Sequence, residues 1–117
     1  MSYDIRLEKD GEVVLLEEPN LERGGMYALG GTNEAWLNVT YNYAKFFYST
    51  MGDKGIRSLY GVTAKDSIPM LKGAIGKLKP DFTSNYWDAT EGNAQKALQS
   101  LLAIAEKAPA DSAWSGD

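Results

Sequence analysis

The stretch Trp36-Leu37-Asn38-Val39-Thr40-Tyr41-Asn42-Tyr43-Ala44-Lys45-Phe46-Phe47-Tyr48 decides the fold, because two periodicities compete within it. Six of its thirteen residues are aromatic. At period two, Leu37, Val39, Tyr41 and Tyr43 share one face, and Trp36, Asn38, Thr40 and Asn42 share the other. At helical spacing, Leu37, Tyr41, Ala44, Tyr48 and Met51 form a seam. The reading taken here is a strand over 35–41, then a helix over 42–51 that ends at Gly52, a good terminator. The row Trp36, Asn38, Thr40, Asn42 then points away from the apolar face. Aromatic faces beside amide groups suit a recognition surface, so this row is the first candidate site.

Working outward, Tyr3-Asp4-Ile5-Arg6-Leu7-Glu8 alternates apolar and polar, as a half-buried strand does. Asp10-Gly11 signals a tight turn, and Glu12-Val13-Val14-Leu15-Leu16 is a second β-rich run. Together they predict an N-terminal hairpin, ended by Glu17-Glu18-Pro19-Asn20. Gly24-Gly25 and Gly30-Gly31 bracket Met26-Tyr27-Ala28-Leu29, which reads as a short strand between two bends. Gly30-Gly31-Thr32-Asn33 fits either a plain tight turn or a backbone nest for an anion.

Downstream, Ile56–Val62 gives no clear periodicity. Asp66 or Ser67 is expected to cap a helix with Pro69 in its first turn and a buried stripe of Ile68, Leu71, Ile75 and Leu78. Gly73 and Gly76 lie inside that helix, which suggests close packing against another element. Lys79-Pro80 closes it. A last helix, capped near Thr90, carries the stripe Ala94, Ala97, Leu98, Leu101, Leu102, Ala105 and stops before Pro109. Residues 109–117 read as a polar tail whose Trp114 docks back onto the domain. The prediction is one α+β domain over 1–117: a hairpin, one or two further strands and about three helices, the last packed across the sheet.

Composition narrows the chemistry. A chain of 117 residues that is 44% apolar can build one real core. It contains no cysteine and no histidine, which removes thiolate catalysis, disulfides, Ser-His-Asp triads and the usual zinc sites. There is no GxGxxG fingerprint and no Walker lysine, so no cofactor is expected. No apolar run approaches the ~20 residues of a membrane span. With no apolar signal segment at residues 1–6, a cytoplasmic location is the simple expectation. The net charge of −4 disfavours nucleic acid. Its distribution is uneven: residues 53–80 hold six bases against two acids, while 81–117 hold six acids against two bases. The basic middle is either a solvated helix face offset by the acidic ends or a surface for an anionic ligand.

A second candidate site surrounds Tyr86, Trp87, Asp88, Glu91 and Asn93. Structural roles account for much of it: Thr90 caps the helix, and Asp88 or Glu91 complements its dipole. In a functional reading, Tyr86, Trp87, Glu91 and Asn93 face Asn38 and Asn42 across a cleft for a small polar ligand, with Arg57 as an anion clamp. A carboxylate-dependent hydrolase using Glu34 with Asp88 or Glu91 is a weaker reading. Asp81, Asp88 and Glu91 lack metal-loop spacing.

Three stretches resemble small uncharacterised proteins of bacteria and their phages: Gly30 to Tyr43, Gly55-Ile56-Arg57-Ser58-Leu59-Tyr60-Gly61, and Tyr86-Trp87-Asp88-Ala89-Thr90-Glu91-Gly92-Asn93-Ala94. The resemblance runs over much of the chain from residue 30. It implies a bacterial or phage source and carries no activity with it. The acidic charge and the aromatic residues lead to the function expected, non-enzymatic binding to a protein partner through Tyr and Trp anchors. In a phage setting the partner would be a host defence factor. A ligand-binding protein is the alternative, and a homo-oligomer stays open.

Overall fold

The first strand, β1 (Ser2–Lys9), is the middle of the sheet and takes partners on both edges. Its alternating sequence explains why. Tyr3, Ile5 and Leu7 are buried on one face, while Ser2, Asp4, Arg6 and Glu8 face outward. This computed structural model describes residues 1–17, 26–27, 33–85 and 87–117. Asp10 (φ 56°) and Gly11 (φ 80°) turn the chain into β2 (Glu12–Val13), with the positive φ pair that a two-residue hairpin needs. The segments Glu18–Asn20, Gly24-Gly25 and Ala28-Leu29, and Gly30-Gly31-Thr32 with its turn-or-nest reading, lie outside the described residues. Within that stretch, β3 (Met26–Tyr27) pairs antiparallel with β4 (Trp36–Thr40).

Leu7 is a junction. Its N–H donates to the Ala35 carbonyl (2.9 Å) and its carbonyl accepts from the Val14 N–H (2.9 Å). The chain leaving β2 thus crosses from β1 to pair Leu15 with Glu34, and β4 then runs back along Ser2–Arg6. Successive residues of an antiparallel strand direct their backbone groups to opposite edges. The other edge of β1 therefore takes β5 (Ala113–Gly116), with Leu7 opposite Trp114. The segment read as a polar tail is thus a fifth strand. Its outer edge is covered in turn: the Trp114 N–H donates to Val62 O, and its carbonyl accepts from Gly61 N–H.

The 36–48 stretch resolves as strand, then helix. β4 keeps strand alternation only to Thr40, whose side chain accepts from the Asn42 N–H and starts a 3₁₀ turn at Tyr41–Tyr43. α1 (Ala44–Met51) follows and ends at Gly52 (φ 93°). A second 3₁₀ turn spans Gly55–Leu59.

α2 (Ala64–Gly76) starts earlier than Asp66 or Ser67, because Thr63 caps it by accepting from the Asp66 N–H. Pro69 therefore falls inside the helix. The buried stripe is also rotated from expectation, to Ala64, Ser67, Leu71, Ala74 and Leu78, with Ile68 and Ile75 only half-buried. A Cβ added at Gly73 or Gly76 would meet nothing within 4 Å among the described residues, so no described element packs closely there. α3 (Glu91–Lys107) packs on α2 and is capped by Thr90.

The buried faces of β1, β4 and β5 join the buried stripes of the helices in one core of a single compact α+β domain. Trp114 sits in it, and its indole N–H donates to the buried Ser67 hydroxyl (2.8 Å). No described helix is long and apolar enough to cross a membrane.

Candidate functional site

The loop between α2 and α3 is organised by one side chain. Asn93 falls on the inward face of α3's first turn, and it is fully buried. A buried amide must find partners, and this one finds them in the loop. Its Nδ2 lies 2.9 Å from Thr83 Oγ1, 3.1 Å from the Asp88 carbonyl and 3.2 Å from the Asn85 carbonyl. Its Oδ1 accepts from the Thr83 N–H (3.1 Å), and its own N–H is capped by Thr90 Oγ1. Asp81 Oδ1 accepts from the Gly92 N–H (2.6 Å), which fixes the loop's start on the same helix end. Gly92 is required for that approach: a Cβ there would lie 2.5 Å from Phe82 N and 2.6 Å from Asp81 C. Asn85 closes the far side, its Oδ1 accepting from the Trp87 N–H (3.1 Å) and its Nδ2 reaching Asp88 Oδ1 (3.3 Å).

This fastened loop holds aromatic rings out to solvent. Trp87 is 53% exposed and Phe82 43% exposed. The Lys96 ammonium lies 4.6 Å from the Phe82 ring centre, a cation–π contact. Asn42, exposed on the first 3₁₀ turn, donates to the Trp87 carbonyl (2.8 Å) and ties the loop to the end of β4. Thus Asn42, Trp87 and Asn93 do come into one neighbourhood, with Asn93 beneath the loop and Asn42 and Trp87 on its surface. Glu91 sits half-buried in the first turn of α3, and Tyr86 lies outside the described residues.

The other candidates separate. Asn38 is on the outer face of the sheet, where Nδ2 donates to Ser2 Oγ (2.7 Å) and Asp4 Oδ1 (2.8 Å), a bridge across β1 and β4. Trp36 is half-buried on that face. Thr40 does not join the row: it is buried and spent on capping. The polar row ends where strand geometry does.

Arg57 is a clasp. Its Nε donates to the Asp117 carbonyl (2.8 Å) and its Nη2 to the Tyr41 hydroxyl (3.3 Å). Its guanidinium lies 4.9 Å from the Tyr3 ring centre and 5.9 Å from that of Tyr41. Asp117 Oδ1 also accepts from the Asp4 N–H (3.0 Å), so this cluster secures the end of β5 to β1. Tyr60 adds a buried hydroxyl with no hydrogen-bond partner among the described residues. Burial, reinforced by Asp117, pushes that phenol up to about 12. Burial also raises Tyr3, with Tyr48 adding to it.

Among the described residues no three acidic side chains gather as a metal site. Sequence reasoning passes over Phe82, Thr83 and Asn85, all part of the loop. A polar amide set beside Ala94 and Ala97 on the buried face of α3 is the signal that points to them. The chain matches no protein-family model, no curated protein and no solved structure.

Proposed function

We propose that this is a non-enzymatic binding protein whose 81–90 loop docks onto a partner protein. The observation that carries the reading is the combination of a heavily hydrogen-bonded loop backbone with exposed Trp87 and Phe82. Apolar rings gain by burial, so a rigid loop that keeps them in water favours a contact made with another molecule. Rigidity lowers the ordering cost of that contact, and Trp is the commonest kind of interface anchor. The rim is acidic, with Asp88 and Glu91 close in sequence to Trp87. Were the source a phage, a natural version of this reading has a host defence factor as the partner and inhibition as the outcome.

The small-ligand reading has less support. Arg57, its anion clamp, is already engaged by Asp117 and Tyr41, and Asn38 by Ser2 and Asp4. The test is native mass spectrometry of the protein purified from its own host's lysate, run in parallel on Trp87→Ala. A stoichiometric protein partner lost in the variant supports the reading. A bound small molecule, a bare chain, or a partner retained equally by Trp87→Ala overturns it.

A further inference from the structure

A second surface, sharing no residue with the loop, lies between the end of α1 and the exposed side of α2. It is a groove of about 300 Å³ lined by Thr50, Met51, Met70, Gly73 and Lys77, with Pro69 and Ala74 completing the wall. That volume is at the small end of ligand pockets, roughly 300–1,000 Å³, and suits one anchoring side chain better than a whole metabolite. Methionine walls adapt to different anchors because their side chains are unbranched and polarisable. At Gly73 no described atom lies within 4 Å of where a Cβ would be. A partner's chain can therefore approach that backbone directly.

Charge identifies the occupant. Residues 64–80, which include α2, hold four bases and one acid. Among the described residues none of Lys65, Lys72, Lys77 and Lys79 is in an ion pair, so no described acid offsets them by contact. Lys77 lines the groove itself. We propose that the α1–α2 groove receives an acidic segment of a protein, which seats an apolar anchor between Met51 and Met70 over Gly73 and sets its carboxylates against Lys77 and the lysines of α2. Apolar contact supplies the holding energy, and the lysines supply register and sign selectivity.

The test uses the full chain labelled with ¹³C at the methionine methyls. The probe is a synthetic peptide with leucine and phenylalanine at helical spacing among glutamates. The control is the same peptide with lysine for glutamate. The Met51 and Met70 methyl signals should shift with the acidic peptide while Met1 stays still, and the lysine peptide should bind at least about tenfold more weakly. Gly73→Leu, which fills the groove, and Lys77→Glu should each weaken the acidic peptide by about tenfold or more. Lys77→Glu changes only an exposed side chain, so it keeps the test intact if Gly73→Leu folds poorly. No shift at millimolar peptide, equal binding of both peptides, or binding unchanged in Lys77→Glu overturns the proposal.

Discussion

The indole N–H of Trp114 and the hydroxyl of Ser67 meet 2.8 Å apart in the core, where the hydroxyl oxygen accepts the indole's hydrogen bond. Ser67 also donates to the Ala64 carbonyl, so it relays a polar path from β5 into the first turn of α2. Ser67→Ala strands a buried N–H, and the expected loss is about 1–3 kcal/mol. Urea titration should show the midpoint falling with an unchanged slope.

Asn93→Ala removes the centre of the 81–90 loop. The Thr83 N–H and the Asn85 and Asp88 carbonyls lose their shared partner. Amide exchange at Thr83 should quicken by about tenfold or more while α3 beyond its first turn keeps its protection. If the loop is the docking surface, the same variant weakens binding although its exposed rings are untouched, because preorganisation is lost.

Three glycines separate by sign. Gly92→Ala places a methyl 2.5 Å from Phe82 N and should cost about 1–3 kcal/mol. Gly73→Ala and Gly76→Ala meet nothing within 4 Å and should each stabilise by about 0.5–1 kcal/mol. Thermal unfolding of the three variants distinguishes helix propensity from packing.

The Tyr60 phenol titrates near 10.0 when unfolded and about 12 when folded, because burial disfavours its anion. Its folded pKa is the higher one. The contribution is therefore complete below about pH 10 and is lost as pH rises toward about 12, where the unfolded chain releases the proton first. Tyr60→Phe should show a shallower alkaline fall in the urea midpoint. Near pH 7 it should match or exceed the parent, since it removes a buried hydroxyl with no hydrogen-bond partner among the described residues.

Elements with local causes were legible in the sequence. The Asp10-Gly11 turn and the Thr90 cap each follow from residues within a few positions, whereas the end of β4 falls at Thr40 rather than residue 41 because Thr40 is spent on capping. Features set by distant partners were not. Ala113–Gly116 is too short and polar to announce a strand, and it becomes one only because β1 has a vacant edge. The α2 stripe turns toward Ser67 because Trp114 must be answered. The candidate site divides in the same way. Asn42 and Trp87 belong together through a contact 45 residues long, whereas Asn38 and Arg57 are consumed by partners that sequence spacing does not reveal.

The central position of β1 also sets an order of assembly. Its hairpin partner follows within a few residues, but β5 is about a hundred residues away. During synthesis at ~5–20 residues per second, the middle strand waits roughly 5–20 s before the strand that seals its second edge exists. A nascent or truncated chain lacking residues 113–116 presents an open edge and an empty tryptophan site, the conditions that favour pairing with the wrong chain. The last strand to be made therefore commits the whole domain, and folding speed is bound to the longest-range contact in the molecule.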